Sequence, residues 1–145
     1  MSPRSIFPVS VDALTKSLSF LEERHRIISN NIANSDTPGF KAQAAPMGEF
    51  QKALAGAIEA RRANPAAEFR LERTAHVREG RRGLEVVPVT AAGDAAGILR
   101  HDGNNVSLDR EMANLAENTL LYRTMSDLLR KQFQMLQSAI QERAS

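Results

Sequence analysis

The chain of 145 residues contains no cysteine, no tryptophan and a single tyrosine. Without thiols it forms no disulfide, no thiolate zinc site, no iron–sulfur cluster and no cysteine nucleophile. Aromatic residues make up only 5% of the chain, which argues against a platform that stacks single-stranded nucleic acid. Lys and Arg number 19 against 17 Asp and Glu, so charge gives little support for nucleic-acid binding. The length allows one domain of ordinary size.

Long apolar runs are missing as well. The first residues are too polar for a secretory signal, which needs roughly 7–15 consecutive apolar residues. No run approaches the ~18–20 apolar residues of a membrane span. Taken alone, these absences predict a soluble, cytoplasmic protein, an expectation that a resemblance described below revises.

The first segment with a clear pattern predicts a helix over residues 11–33. Ser10 is predicted as its N-cap, and Asp12 suits the positive end of the helix. Pro38 and Gly39 follow the helix and suit the two central positions of a type II turn. Its heptad seam contains one polar member, His25, which we interpret as a residue that fixes register. The seam positions are Val11, Leu14, Leu18, Leu21, His25, Ile28 and Ile32.

The strongest pattern lies at the other end, where residues 107–140 predict a helix about 50 Å long. Ser107 is predicted to cap it, and Asp109 and Glu111 fall in its first turn. A strict seven-residue repeat predicts left-handed supercoiling around a partner helix. The repeat comprises Leu108, Met112, Leu115, Thr119, Tyr122, Ser126, Leu129, Phe133, Leu136 and Ile140.

This helix carries a second apolar stripe beside the first. A pair of helices covers only one seam, and fully burying a Leu or Met side chain contributes roughly 1.5–3 kcal/mol. A second stripe in water therefore favours association with further helices, from this chain or from neighbours. The stripe consists of Leu121, Met125, Leu128, Met135 and Ala139, with Gln132 between.

The middle of the chain is less regular. Residues 48–63 predict a short helix with Phe50, Leu54 and Ile58 on one face. Residues 84–90 predict a strand that Pro88 confines to a sheet edge. The region has too few apolar residues for a large core of its own, so we expect a small sheet or an extended, mobile segment.

No catalytic or metal-binding pattern emerges. His25, His76 and His101 lie in separate segments without the spacing of metal ligands on a helix. His101 and Asp102 are interpreted as a solvated turn rather than an acid–base pair. Nucleophile-elbow, phosphate-loop and dinucleotide-binding motifs are missing. We therefore expect a protein that is not an enzyme and has no metal or cofactor.

An Arg-rich stretch leaves one alternative open. Residues 61–82 contain seven Arg against three Glu. Interleaved acids favour a solvated face, but the stretch could bind phosphate or an acidic partner. The alternative function is thus a cytoplasmic coiled-coil adaptor that uses this stretch to bind an acidic partner.

Two motifs resemble known sequences. Residues 28–41, Ile-Ser-Asn-Asn-Ile-Ala-Asn-Ser-Asp-Thr-Pro-Gly-Phe-Lys, resemble the N-terminal signature of the flagellar rod and hook axial protein superfamily. Residues 100–122 resemble the FlgB family of proximal-rod proteins. A sister rod family, FlgC, usually has a C-terminal helix of a different, Glu-Ala-Gln-Arg-Ala-Tyr-rich type. The signature positions are Asn31, Ala33, Asn34, Thr37, Pro38, Gly39, Phe40 and Lys41.

The resemblance implies a non-enzymatic subunit of the proximal rod, which transmits torque from the membrane ring towards the hook. It implies export through the flagellar type III gate without a cleaved signal peptide, and a location in the periplasmic rod of the basal body. Implied partners are itself, other rod subunits, the adaptor protein between ring and rod, and the export gate. Phe7 and Val11 fit a short gate motif of such substrates, but Phe50 and Leu54 fit it equally. Another proximal-rod protein such as FlgC is the alternative within the superfamily.

We therefore predict a mainly α fold in which long terminal helices pair as an antiparallel coiled coil around a small, partly β middle segment. The expected divisions are residues 1–34, 35–106 and 107–145. The predicted intramolecular seam is formed by Leu14, Leu18, Leu21, Ile28, Leu115, Tyr122, Leu129, Phe133 and Leu136. The predicted subunit interface is formed by Leu121, Met125, Leu128 and Met135.

Overall fold

The part of the chain that the structure describes contains three helices and four short strands. The computed structural model describes residues 8–81, 83–92 and 97–144. The helices are α1 (Val9–Ala33), α2 (Met47–Ala63) and α3 (Leu108–Ala144). The strands are β1 (Gln43–Ala44), β2 (Val77–Gly80), β3 (Gly83–Val86) and β4 (Val89–Thr90). The prediction of a mainly α chain with a small, partly β middle is confirmed.

The two ends of α1 agree with the sequence prediction except at the N-cap. Asp12 lies in the first turn, as predicted, but the prediction of Ser10 as N-cap is wrong. The helix begins at Val9 because Pro8 occupies the cap position, and Ser10 instead donates a hydrogen bond of 3.2 Å to Gln132. After the helix, Gly39 has φ +75°, and the Phe40 amide donates to the Thr37 carbonyl. This is the type II turn predicted at Pro38 and Gly39.

Helices α1 and α3 pack antiparallel, as predicted. Ser10 near the start of α1 meets Gln132, whereas Leu21 meets Asn118 further back along α3. At 1.5 Å per residue, α1 spans about 37 Å and α3 about 55 Å. The C-terminal turns of α3 therefore run past the level of Ser10.

The main apolar core lies against a second face of α1, beside the one that contacts α3. Phe20 and Ile27 of α1 pack against α2 and the β2–β3 hairpin, and the rings of Phe20 and Phe50 stack at 4.1 Å between centroids. The middle segment does not form this core by itself, because α1 supplies one wall of it. The buried contributions from the middle segment are Phe50, Ala53, Ala57, Phe69, Leu71, Val77, Leu84 and Val86.

Two small antiparallel sheets complete the middle segment. Strands β2 and β3 form a hairpin in which Gly80 pairs with Gly83, while β1 pairs with β4. The single strand predicted over residues 84–90 is in fact split between the two sheets. Pro88 lies at the break, where it has no N–H to continue a ladder. The β1–β4 pair brings Ala42 and Ala91 together with Val106 in a second, smaller core.

Within the described ranges, no helix is both long enough and apolar enough to cross a membrane.

Candidate assembly interface

The turn after α1 is docked onto the loop that precedes α3. The Gly39 amide donates to the Asp102 carbonyl at 2.8 Å, and the Lys41 ammonium donates to the Gly103 carbonyl at 2.5 Å. From the other side, the Arg100 guanidinium donates to the Ser35 carbonyl at 3.0 Å. The two sequence motifs that resemble flagellar proteins therefore lie against each other, although about sixty residues separate them.

Asn104 holds this junction together. Its side chain is fully buried, and its amide nitrogen donates to the carbonyls of Asn34, Ser35 and Thr37 at 2.8–3.1 Å. Its side-chain oxygen accepts from the Val106 amide at 2.7 Å. One side chain thus satisfies backbone groups from both loops, which a buried junction requires. Sequence reasoning missed this role because it treated the loop around His101 and Asp102 only as a turn; both residues are exposed there.

The signature residues divide between this junction and the end of α1. Asn31 is fully buried and pairs with the backbone of Gln43, donating to the carbonyl at 2.7 Å and accepting from the amide at 3.0 Å. Thr37 donates to the Asn34 side chain at 3.1 Å. Phe40 packs against the small core around Ala42, while Ala33 and Pro38 are exposed.

Seam positions on α1 are more buried than those on α3. Leu21 and Ile28 are buried, and Leu14 and Leu18 are half-buried. On α3, Leu115, Leu129 and Leu136 are half-buried, whereas Tyr122 and Phe133 are exposed. Tyr122 lies at the edge of the contact, where its hydroxyl donates to Glu22 at 3.1 Å and this bond raises the pKa of the phenol. His25, interpreted as a seam residue, is exposed beside it.

Polar residues occupy much of the contact between α1 and α3. Asn118 is almost fully buried and donates to the Leu21 carbonyl at 3.0 Å. Glu111, one heptad earlier, is only 4% exposed. Burial raises the pKa of the Glu111 carboxyl, although hydrogen bonding to Asn31 and Asn114 acts in the opposite direction. A search for apolar heptads does not identify such residues, because it assumes that buried positions are apolar.

Two buried oxygens lack partners in the described part of the chain. They are Oε2 of Glu111 and Oδ1 of Asn118. A buried acceptor without a donor costs free energy, so each such atom requires an explanation. Glu111 lines a groove of about 550 Å³ between α2 and α3, floored by α1.

The second stripe of α3 is divided by this groove. Leu121 and Met125 are half-buried and form part of its wall, together with residues of α1 and α2 such as Phe20 and Leu54. Leu128 and Met135 are 46% and 49% exposed. The predicted subunit-interface residues thus fall into a pair that lines the chain's own groove and a pair that faces outwards.

Other predicted features are dispersed. Among the described residues, no three His, Asp or Glu side chains form a group that could hold a metal ion. In the Arg-rich stretch, Arg61 is buried and donates to the Ala67 carbonyl, and Arg78 pairs with Glu85 at 2.6 Å. Of the gate-motif residues, Val11 is buried in α1 and Phe7 lies outside the described residues.

Comparison with known proteins covers nearly the whole chain. Residues 21–41 match a family described as flagella basal body rod protein. The chain is 33% identical to the flagellar basal body rod protein FlgB of Borrelia hermsii, over 94% of this chain and 98% of the relative. It is 31% identical to FlgB of Yersinia ruckeri, over 88% and 90% of the two chains, and 27% identical to FlgB of Bacillus subtilis, over 94% and 96%. The chain therefore belongs to the FlgB family of flagellar basal body rod proteins.

Proposed function

We propose that the chain is a structural subunit of the proximal rod, which assembles through its terminal helices and transmits torque from the membrane ring towards the hook. Family membership supports a structural role in the flagellar basal body. The observation that carries the assembly role is the exposed apolar face of α3. That face includes Leu128 and Met135, which are 46% and 49% exposed one heptad apart on a long, uninterrupted helix.

An exposed face of this kind is costly in an isolated chain and useful in an assembly. Full burial of an exposed Leu or Met side chain contributes roughly 1.5–3 kcal/mol, and a half-exposed side chain gains part of that when a neighbour covers it. Because α3 already packs against α1 within the chain, it loses little conformational entropy when a neighbouring subunit binds. The face therefore favours packing against other subunits.

The finer assignments follow from the same proposal. We infer that the chain's partners are further copies of itself, other rod subunits, the adaptor between ring and rod, and the type III export gate. Its place is the periplasmic part of the rod, reached without a cleaved signal peptide. It acts by packing rather than by catalysis, and needs no cofactor.

The adaptor function is not favoured. Arg61 is buried and Arg78 is paired with Glu85, so two of the seven arginines are already engaged within the chain. Steeply salt-dependent binding of the purified chain to DNA would speak for that alternative.

The test is Leu128→Asp in a motile strain that depends on this chain. A charge placed on the exposed face is expected to abolish motility, because it prevents apolar packing between subunits. Export, measured by cell fractionation, should be unchanged, since Leu128 does not hold the fold of the chain together. Gln134→Asp, at another exposed position of α3, is the matched control and should remain motile.

Motile cells carrying Leu128→Asp would contradict the role of this face. Loss of export together with motility would point to a folding or transport defect instead. Basal bodies that contain no copy of the unmodified chain would refute the rod function itself.

A further inference from the structure

The second stripe of α3 has two parts that differ in their surroundings. Leu121 and Met125 line the groove between α2 and α3, whereas Leu128 and Met135 are exposed further along the same helix. We propose that residues 131–139 of α3 from a second copy of this chain lie in that groove. The inference rests on the proposed function, because it names the surface by which one subunit joins the next.

The groove contains an acid that requires a donor. Oε2 of Glu111 has no hydrogen-bond partner among the described residues, although the side chain is buried in the groove wall. Lys131 is exposed on α3, four residues before Met135. Its compact ammonium sits on a flexible stem and can reach a recessed carboxylate. A cation from the inserted helix therefore supplies the donor that Oε2 of Glu111 lacks within the described residues.

The inserted segment has the required face and length. Leu128, Lys131, Met135 and Ala139 are separated by three, four and four residues, so they lie on one side of the helix. With Lys131 beside Glu111 and the two α3 helices parallel, residues 131–139 span about 12 Å along residues 111–119 of the groove wall, and Leu128 lies level with Leu108. Ala139 leaves room for close approach to the aromatic floor, where Phe20 and Phe50 stack.

For parallel α3 helices, the charge contact also sets the offset between the two copies. With Lys131 of the second copy beside Glu111 and the two α3 helices parallel, the copies are offset by twenty residues, about 30 Å. Donor and acceptor surfaces are different parts of the molecule, so the contact is head-to-tail. Repeating such a contact without closure builds a filament rather than a dimer.

Crosslinking tests this contact directly, because the chain has no native cysteine. Gln51 is exposed on α2 and lines the groove. Its neighbour in sequence, Phe50, stacks on Phe20. The residue after Phe20, Leu21, accepts a hydrogen bond from Asn118. Gln51 therefore lies near the level of Asn118 along α3. The proposed offset brings Ala139 of the second copy to that level. Two differently tagged copies, one Gln51→Cys and one Ala139→Cys, are co-expressed, and isolated basal bodies are treated with a short bismaleimide.

We expect a crosslinked product that carries both tags. The matched control replaces Gln51→Cys by Arg62→Cys, an exposed position on the same helix that does not line the groove, and should give no such product. Adding Lys131→Glu to the Ala139→Cys copy should lower the yield several-fold, whereas Lys131→Arg should retain it. Arg130→Glu, on a different face of the same turn, should also leave the yield unchanged.

Glu111→Gln separates assembly from folding. Because burial opposes the charge of Glu111, the variant should unfold at a higher temperature than the unmodified chain at neutral pH. If the carboxylate serves the second copy, the same variant should nevertheless lower the crosslink yield. A purely structural Glu111 would change the melting temperature and leave the yield as it was.

Three results would overturn the proposal: no product with both tags when both variants are present in the basal bodies, crosslinks only between identical cysteines, or a product that joins the groove to a different rod protein. Each of these leaves the rod function standing, because the chain is then still found in the basal body.

Discussion

Phe20 and Leu128 are large apolar side chains on the two long helices, yet one is 1% exposed and the other 46%. Phe20 faces the middle segment, where Phe50 and the hairpin cover it completely. Leu128 lies on a side of α3 that the other described elements leave about half exposed. The difference teaches that the apolar residues of this chain serve two tasks: one set stabilises the single molecule, and the other is available for association.

Among the predicted changes, Phe20→Ala should have the largest effect, because Phe20 belongs to the residues that stabilise the single molecule. Removing a fully buried, stacked ring should lower the free energy of unfolding by about 3–5 kcal/mol, because it leaves a cavity in the main core. Urea unfolding followed by circular dichroism measures the change.

Leu128→Ala is the counterpart in the second set. It should change the free energy of unfolding by no more than about 0.5 kcal/mol, as for an ordinary surface position. Equal losses for Phe20→Ala and Leu128→Ala would show that the distinction between core and association face is mistaken.

Asn104→Ala sharpens the comparison at the loop junction. The variant removes the donor to Asn34, Ser35 and Thr37 and the acceptor for Val106, so buried backbone groups lose their partners. We expect a loss of about 3 kcal/mol in the free energy of unfolding, together with faster hydrogen exchange at the Val106 amide. His101→Ala, exposed in the same loop, is the control, and an equal loss there would contradict the special role of Asn104.

The smallest effect concerns pH. Hydrogen bonds from Thr74 and His76 lower the pKa of Glu49 below its ordinary value in the folded chain. The charged carboxylate therefore stabilises the fold above the pKa of the unfolded state, and this contribution disappears as pH falls through the lower folded pKa.

Glu49→Gln should accordingly show a shallower fall in melting temperature between neutral pH and about pH 3. Glu59→Gln, at an exposed position of the same helix, should follow the unmodified chain. Parallel curves for all three proteins would mean that Glu49 does not link α2 to the segment around His76.

The helices could be predicted closely because their signals are local. The pattern places α1 over residues 11–33 and α2 over 48–63, and the structure has Val9–Ala33 and Met47–Ala63. The type II turn likewise depends only on Pro38 and Gly39 and their dihedral preferences. The prediction of Ser10 as the N-cap was wrong because Pro8, two residues earlier, occupies the N-cap position.

The burial of α1 could not be read from the heptad repeat. Phe20 and Ile27 lie outside the predicted seam, yet they form the centre of the main core. A helix that contacts two different partners buries two stripes, and the seven-residue repeat describes only one of them. His25 fits the repeat but is exposed, because it lies beside Tyr122 at the edge of the contact with α3.

The candidate interface could be predicted only in part from the sequence. The second stripe of α3 is evident from spacing, and Leu128 and Met135 are indeed exposed. That Leu121 and Met125 line a groove depends on where α2 lies, which no local pattern encodes. Glu111 and Asn118 were missed for the related reason that a polar residue gives no sign of burial until its neighbours are known.

The sequence by itself determined the helices, the turn after α1, an excess of apolar surface on α3 and the membership of a rod family, because each is written in residues close together along the chain. Only the tertiary structure decided which apolar side chains the single molecule covers. It also brought Gly39 against Asp102 and placed Asn104 beneath three carbonyls. Those contacts join residues more than sixty positions apart, and their geometry exists only after the helices have packed.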